Sequence, residues 1–204
     1  MIGFLDNDII SKLCVFNLLD EAIVSLNLKS SDIRVLSTAI YFLRNNRSSP
    51  KEGRERAIAF VKNCRKASAE NRNELELLQT IDGIDIGEAT LLAATQNLSA
   101  FVFMTGDKKC IASLGNASEI ETTYQRLQGR VICLEQVILL LIQRLGFEMV
   151  KSRVLPTIDY DKSLKTCFGS GNLAIETNVV MTLESYIKDL RQKAPGLLAD
   201  MSQF

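Results

Sequence analysis

Carboxylates are the side chains of this sequence whose spacing could support chemistry. Asp6 follows an apolar run at the N-terminus, Asp107 follows a second apolar run, and Asp85 and Glu88 stand three residues apart before a small-residue segment. Carboxylates packed within a few ångströms repel one another and raise one another's pKa values unless a cation lies among them. A divalent metal can generate hydroxide from bound water and offset the charge that develops on a phosphodiester. The four acids therefore predict a metal site for phosphodiester hydrolysis.

The absence of histidine narrows the chemistry further. The 204 residues include no histidine, so the chain cannot build a Ser-His-Asp triad, a Cys-His pair or a His-ligated metal from its own residues. The five cysteines are scattered without a CxxC pair, which argues against a zinc ribbon or a redox motif and indicates reduced core residues. Ligation by oxygen alone favours Mg²⁺ or Mn²⁺ over zinc.

Each acid also has a purely structural explanation. Asp is a good residue for the start of a helix, and Asp107 stands between a predicted strand and a predicted helix. Asp85 and Glu88 have the spacing of a capping box, which explains the pair without a metal. We expect Asp8 to cap the first helix rather than to bind a metal. Asp6 is harder to explain in this way, because a charge beside the core costs free energy unless it is paired.

Short apolar segments alternate with segments of helical spacing along the chain. The predicted strands are Ile2–Leu5, Ile33–Leu36, Ala100–Met104 and Arg130–Leu134. The predicted helices include Leu18–Leu28, Asn71–Ile81, Glu88–Leu98, Lys108–Leu114, Ile120–Leu127, Gln136–Leu145 and Ala174–Lys193. This alternation indicates an α/β domain with a mainly parallel central sheet. In such sheets the functional crevice lies at the carboxyl ends of the strands, which is where Asp6 and Asp107 are expected.

Two stretches resemble the PIN-domain ribonuclease family. FLDNDIISKL, residues 4–13, looks like the opening strand and helix of that family. DIGEATLLAATQNLSAFVFMTGDKKCI, residues 85–111, is similar to the later half, in which an acidic helix start precedes a strand ending in Thr-x-Asp. The resemblance covers Met1–Gln136 and implies a three-layer α/β/α sandwich. It divides the chain into a nuclease domain, residues 1–150, and a C-terminal helical extension, residues 151–204.

The resemblance also implies roles for individual residues. Asp6, Glu88 and Asp107 match the metal-binding acids of the family and would be the catalytic residues, with Asp85 as a further metal ligand. Glu135 stands where some members keep another acid or polar residue. The implied activity is cleavage of single-stranded RNA with Mg²⁺ or Mn²⁺. The family often acts as a toxin that is paired with a protein antitoxin.

One position departs from the family pattern. Many members have a glutamate in the helix after the second strand, where this chain has Tyr41-Phe42. With one ligand fewer, the alternatives are weak activity, a different metal geometry and loss of catalysis. The last of these would leave a module that binds RNA or protein without cutting.

A phosphatase is a further alternative. Asp6-Asn7-Asp8 also resembles the nucleophile loop of haloacid-dehalogenase-like phosphatases, with Asp6 attacking phosphorus and Asp8 as general acid. That family usually has a second acid four or five residues after a Gly-Asp, and Gly106-Asp107 is followed at that distance by Ile111 and Ala112. The phosphatase interpretation is therefore the weaker one.

Charge and hydropathy bear on the partners. The 24 basic and 24 acidic residues balance, so no overall field draws the protein onto nucleic acid. The segment Arg44–Arg72 nevertheless holds nine basic and three acidic residues, and such an arm could bind RNA phosphates, although a solvated helix is the simpler explanation. The aromatic residues show no RNA-stacking pattern and are predicted to lie in the core.

The remaining expectations concern location and assembly. The longest apolar run, Val137–Ile142, is far shorter than the ~20 residues that a membrane span requires, and the N-terminus does not resemble a signal peptide. We therefore expect a cytoplasmic protein without a membrane partner. The amphipathic helix beyond Val150 needs a partner surface, either on this chain or on a second copy in a homodimer.

Overall fold

The computed structural model describes residues 1–204 and contains a five-stranded sheet in which every strand pair is parallel. The strands are β1 (Ile2–Leu5), β2 (Ile33–Val35), β3 (Arg65–Lys66), β4 (Phe101–Thr105) and β5 (Val131–Cys133). Their order across the sheet is β3-β2-β1-β4-β5. The predicted parallel sheet is confirmed, and its central strand is β1, which Asp6 directly follows.

Twelve α-helices connect and cover the strands. They are α1 (Asn7–Val15), α2 (Leu19–Ser25), α3 (Ala39–Asn45), α4 (Lys51–Lys62), α5 (Arg72–Gln79), α6 (Ile86–Ala93), α7 (Lys108–Asn116), α8 (Glu121–Leu127), α9 (Leu134–Leu145), α10 (Phe147–Val154), α11 (Lys162–Cys167) and α12 (Glu176–Lys193). No helix is both long enough and apolar enough to cross a membrane.

The strand order reverses direction beside β1. The chain runs outward from β1 to β3, then returns past β1 to form β4 and β5. Because crossovers between parallel strands are right-handed, the reversal places α1–α4 on one face of the sheet and α5–α8 on the other. This arrangement is the predicted α/β/α sandwich. It also creates a topological switch point between β1 and β4, where open α/β sheets bind their ligands.

The C-terminal segment packs on the same core as the sheet. A single cluster of 61 buried hydrophobic residues includes strand residues together with Val179, Leu183, Ile187 and Leu190 of α12. This chain therefore covers the apolar face of α12, which is the first of the two predicted alternatives. The boundary expected after residue 150 falls within α10. The division into two domains stays a prediction.

The edges of the sheet hold the two features that the sequence pattern did not reveal. Strand β3 consists of two exposed basic residues, Arg65 and Lys66, so it has no apolar alternation that would indicate a strand. Beyond β5, Ala199 N–H donates to the Val131 carbonyl at 2.8 Å, and Val131 N–H donates to the Leu197 carbonyl at 3.2 Å. The chain terminus therefore covers the β5 edge. All five cysteines are free and buried, as expected.

Candidate functional site

A cleft of about 660 Å³ opens at the carboxyl ends of β1 and β4. It is larger than the cavities of about 380 Å³ and 400 Å³ found elsewhere in the chain. The sixteen residues that line the cleft include all four predicted site acids, Asp6, Asp85, Glu88 and Asp107, and none of the sixteen is Lys or Arg. The fold therefore gathers the four acids around one cavity that has no basic residue of its own.

Asp6 reaches the cleft as the cap of α1. It follows the last residue of β1 in an extended conformation, and its Oδ1 accepts a hydrogen bond from the Ile9 N–H at 2.6 Å. Its other carboxylate oxygen accepts a hydrogen bond from the Thr105 hydroxyl. The prediction that Asp8 caps this helix is wrong, because α1 begins at Asn7, directly after Asp6, and Asp8 therefore lies within its first turn. Asp8 instead forms an ion pair with Lys12 at 2.6 Å.

Asp85 and Glu88 form the predicted capping box at the start of α6. The Glu88 N–H donates to Asp85 Oδ1 at 2.7 Å, and the Asp85 N–H donates to Glu88 Oε2 at 2.9 Å. Asp85 is exposed, whereas Glu88 retains only 4% of its accessible surface. The capping box and a place in the cleft are therefore compatible, because the same helical turn serves both.

Asp107, like Asp85, is exposed, and it caps α7. Its Oδ1 accepts hydrogen bonds from the backbone N–H groups of Lys109, at 2.7 Å, and Cys110, at 3.4 Å. Its own N–H donates to the Thr105 hydroxyl oxygen at 2.9 Å. Thr105 therefore joins Asp6 and Asp107, which come from adjacent strand ends. Sequence reasoning gave Thr105 no role.

Burial and mutual repulsion shift the protonation of the two buried acids. Burial, followed by the charge of Asp8, raises the pKa of Asp6 to about 7. Burial raises the pKa of Glu88 to about 8; the hydrogen bond from Asp85 opposes this shift, while the charges of Asp6 and Asp107 add to it. Neither acid forms an ion pair with a Lys or Arg. Among the acids that line the cleft, Asp8 has a basic partner, Lys12, whereas the buried carboxyl groups of Asp6 and Glu88 have none.

The donor atoms of the cleft suit a hard divalent cation, although the side chains do not form a cage. No group of three or more Cys, Asp and Glu side chains is placed so that it could hold a metal ion. Asp6, Glu88 and Asp107 instead each accept a hydrogen bond at the start of their own helix. In addition to these acids, Asn7 contributes a buried amide oxygen, Oδ1, that has no hydrogen-bond partner. The available donors are all oxygens, as Mg²⁺ and Mn²⁺ require.

Glu135, which the family resemblance singled out, lies outside the cleft. Glu135 is fully buried in the first turn of α9, and its Oε1 lies 2.7 Å from the Lys108 ammonium. Lys108 also donates to the Ser163 hydroxyl at 3.1 Å, so it is engaged away from the cleft. None of the nine basic residues of Arg44–Arg72 lines the cleft either. The cleft therefore contains neither Glu135 nor the basic residues that the sequence offered as candidates.

The prediction that the aromatic residues lie in the core is wrong for two of them. Tyr41 is 73% exposed and Phe42 is 47% exposed, and both line the cleft from α3. Helix α3 buries Ala39 and Leu43 instead. Adjacent residues of a helix point about 100° apart, so two consecutive aromatics followed by a leucine cannot all face one core. The run Tyr41-Phe42-Leu43 was therefore the sequence signal that some of these side chains would be exposed.

Comparisons with known proteins yield no relative for this chain. No family model matches it, no curated protein matches it, and no solved structure matches it. The PIN-domain resemblance therefore depends on the order and spacing of the motifs alone.

Proposed function

We propose that the protein is a metal-dependent endoribonuclease that hydrolyses phosphodiester bonds of single-stranded RNA in the acidic cleft. The observation that carries the proposal is the convergence of Asp6, Glu88 and Asp107. These acids come from three separate helix starts, and they line one cavity at the switch point of the sheet without a basic residue among the lining residues. Neither acid of the buried pair, Asp6 and Glu88, is neutralised by an ion pair.

The composition of the cleft implies a cation. A phosphodiester that entered the cleft would meet carboxylates and no Lys or Arg, so repulsion would exclude it without a bridging positive charge. Mg²⁺ or Mn²⁺, when bound, would supply a water-derived nucleophile and offset the charge on the phosphate. The residues that would hold the ion are Asp6, Glu88 and Asp107, with Asp85 at the rim.

The buried and exposed acids of the cleft suit different parts of the proposed metal site. Asp6 and Glu88 are each only 4% exposed and are positioned by backbone N–H groups, so they suit the inner, fixed part of the site. Asp107 is exposed, and only its Oδ1 is engaged by the start of α7, so its second oxygen can face substrate. The Asn7 amide oxygen is the remaining acceptor without a partner.

The family resemblance extends the proposal to a biological role. A toxin of a toxin–antitoxin pair would act on cytoplasmic RNA and would bind a protein antitoxin. A small antitoxin-like reading frame directly upstream of the gene would support this role.

An RNA cleavage assay tests the chemistry. The wild type should cut end-labelled single-stranded RNA with Mn²⁺ and should not cut it with EDTA. Asp107→Asn keeps an oxygen for the helix cap but loses the charge, so its rate should fall more than about 100-fold. Asp82→Asn is the matched control, because Asp82 is 97% exposed and lies outside the cleft. Equal rates for wild type and Asp107→Asn would overturn the proposal.

A module that binds RNA without cutting it is the second candidate. Two observations favour it: the carboxylates do not form a cage, and α3 presents Tyr41 and Phe42 where a further acid would be needed. This candidate predicts that the wild type retards single-stranded RNA on a gel but leaves it intact with Mn²⁺. The phosphatase alternative gains no such support, because both oxygens of Asp6 accept hydrogen bonds and the residue is buried.

A further inference from the structure

We propose that Tyr41 and Phe42 form a stacking platform for the unpaired bases of an RNA strand at the acidic cleft. We call this pair the aromatic rim. The inference deepens the proposed function and takes single-stranded RNA from it, but it concerns binding rather than cleavage. Its first support is the exposure of the two side chains. Tyr41 is the most exposed of the four tyrosines, and Phe42 is the most exposed of the nine phenylalanines.

Leaving two adjacent aromatic side chains in water is unfavourable unless something covers them. Tyr41 and Phe42 both line the cavity that holds the carboxylates, so their exposed surface is not scattered at random. Ile86, in the first turn of α6, is 72% exposed and lines the same cleft. The lining of the cleft therefore combines acidic residues with three exposed apolar side chains, Tyr41, Phe42 and Ile86.

Close contacts connect the helix that carries Tyr41 and Phe42 to its neighbours α6 and α1. A Cβ on Gly87 would lie 2.7 Å from Leu36 Cδ1, so the start of α6 packs closely on the segment that leads into α3. At the other end of α3, the Asn46 amide donates to the Tyr160 hydroxyl at 3.1 Å, and that hydroxyl lies 2.7 Å from the Ser11 hydroxyl of α1. Because Asp6 caps α1, these hydrogen bonds connect the helix of the aromatic rim to the helix that positions Asp6.

The charge of the cleft identifies the part of a nucleic acid that the rim would contact. Proteins usually obtain affinity for RNA from Lys and Arg on the phosphates, and no such residue lines this cleft. Aromatic faces are the other common source of affinity for single strands, because every base has a face that can stack. Outside the cleft, Arg44 is exposed three residues after Tyr41, so it can meet the backbone where the strand leaves the rim.

Stacking on the rim requires bases that are free of a duplex. A paired base is already stacked on its neighbours, so the platform selects unpaired nucleotides. The inference thus supplies a physical reason for a preference for single strands. If the rim bound a peptide instead of RNA bases, the protein would bind normal RNA and RNA without bases equally.

Binding measured without cleavage tests the platform. Fluorescence anisotropy of a short labelled RNA strand, with Ca²⁺ in place of Mn²⁺, gives Kd for each variant. Tyr41→Ala and Phe42→Ala should each weaken binding by about 5- to 150-fold. Tyr41→Phe keeps the ring and should bind like the wild type. Leu173→Ala is the control, because Leu173 is 84% exposed and lies outside the cleft.

Two further readouts separate stacking from other contacts. An abasic strand should bind the wild type and Tyr41→Ala equally weakly. The chain has no tryptophan, so tyrosine emission can be read directly, and RNA should quench it in the wild type but much less in Tyr41→Phe. Melting temperatures of the variants should match the wild type, because both side chains are exposed.

The outcomes for stacking and for catalysis are distinct. If the wild type does not cut RNA but loses affinity on Tyr41→Ala, the platform stands and the nuclease proposal fails. If the wild type cuts RNA and both alanine variants bind unchanged, the platform is wrong and the nuclease proposal stands. Absence of RNA binding by the wild type, or equal binding of normal and abasic strands, would also overturn the platform.

Discussion

The hydroxyl of Thr105, the last residue of β4, donates a hydrogen bond to the carboxylate of Asp6, the residue that follows β1. The same hydroxyl oxygen accepts a hydrogen bond from the Asp107 N–H at 2.9 Å. Strands β1 and β4 are parallel neighbours in which Leu5 pairs with Met104, so this contact joins the two strand ends directly. A neutral side chain thus connects two acids of the cleft.

Thr105→Val should damage both stability and the site. Valine keeps the shape but can neither donate to Asp6 nor accept from Asp107, which leaves a buried carboxylate oxygen without its partner. The free energy of unfolding, measured with urea, should fall by about 1–3 kcal/mol. The pKa of Asp6 should rise further, because the Thr105 hydrogen bond lowers it. Thr105→Ser keeps the hydroxyl and should stay close to the wild type; a similar loss in both variants would show that the hydroxyl is not responsible.

Glu88→Gln should stabilise the protein at alkaline pH. The pKa of Glu88 is about 8 in the folded chain against an ordinary value of 4.5, so between these values the folded state binds a proton that the unfolded state has lost. Stability from this residue is therefore full below about pH 4 and declines as pH rises to about 8. Glutamine can still accept the Asp85 N–H and carries no charge to bury.

Thermal melting at pH 5 and pH 9 measures this effect. The variant should gain about 1–2 kcal/mol at pH 9, or roughly 2–8 °C, and should be nearly unchanged at pH 5. Glu76→Gln changes an exposed glutamate of α5 and is the control. An equal gain at both pH values would contradict the role of the buried charge.

Mn²⁺ should raise the melting temperature, and the rise should grow with pH. Asp6 has a pKa of about 7 and Glu88 a pKa of about 8, and a carboxyl group must lose its proton before it can bind a cation. For each proton released, the apparent Kd should fall about tenfold per pH unit below these values. Calorimetry in two buffers of different ionisation enthalpy would count the protons. A shift that is independent of pH between 6 and 8.5 would argue against ligation by these two acids.

Asp161→Asn should weaken the attachment of the C-terminal segment. Asp161 caps α11 and forms an ion pair with Lys12 at 2.9 Å, and Lys12 also pairs with Asp8, which lines the cleft. Burial alone would raise the pKa of Asp161, but Lys12 and the hydrogen bonds from Ser163 and Leu164 hold it below the ordinary value of 3.8. The residue therefore stabilises the fold above about pH 4, and this contribution is lost as pH falls.

Urea unfolding of Asp161→Asn is the appropriate measurement. The free energy of unfolding should drop by about 1–3 kcal/mol at pH 7 and by much less near pH 3. Asp159→Asn is the control, since Asp159 is 82% exposed and pairs only with an exposed lysine, Lys165. A loss that is the same at both pH values would indicate that the charge is not what matters.

Features that depend on a few neighbouring residues could be predicted from the sequence. The capping box of Asp85 and Glu88 and the cap at Asp107 are hydrogen bonds across three residues or fewer, and the apolar runs before Asp6 and Asp107 mark buried strands. The Asp6 cap was missed because Asp6 and Asp8 both precede the apolar residues Ile9 and Ile10, so the sequence pattern does not decide which aspartate caps α1. Strand β3 was missed because two exposed residues carry no pattern.

The tertiary structure alone decided which of these features share a cleft. The order β3-β2-β1-β4-β5 places the ends of β1 and β4 side by side, and only then can Thr105 join Asp6 to Asp107. The exposure of Tyr41 and Phe42 depends in the same way on which face of α3 meets the core. The sequence by itself determined the acids and their helix starts, because such features depend on neighbouring residues. The tertiary structure brought the acids together, because strand order and helix orientation depend on packing between distant segments.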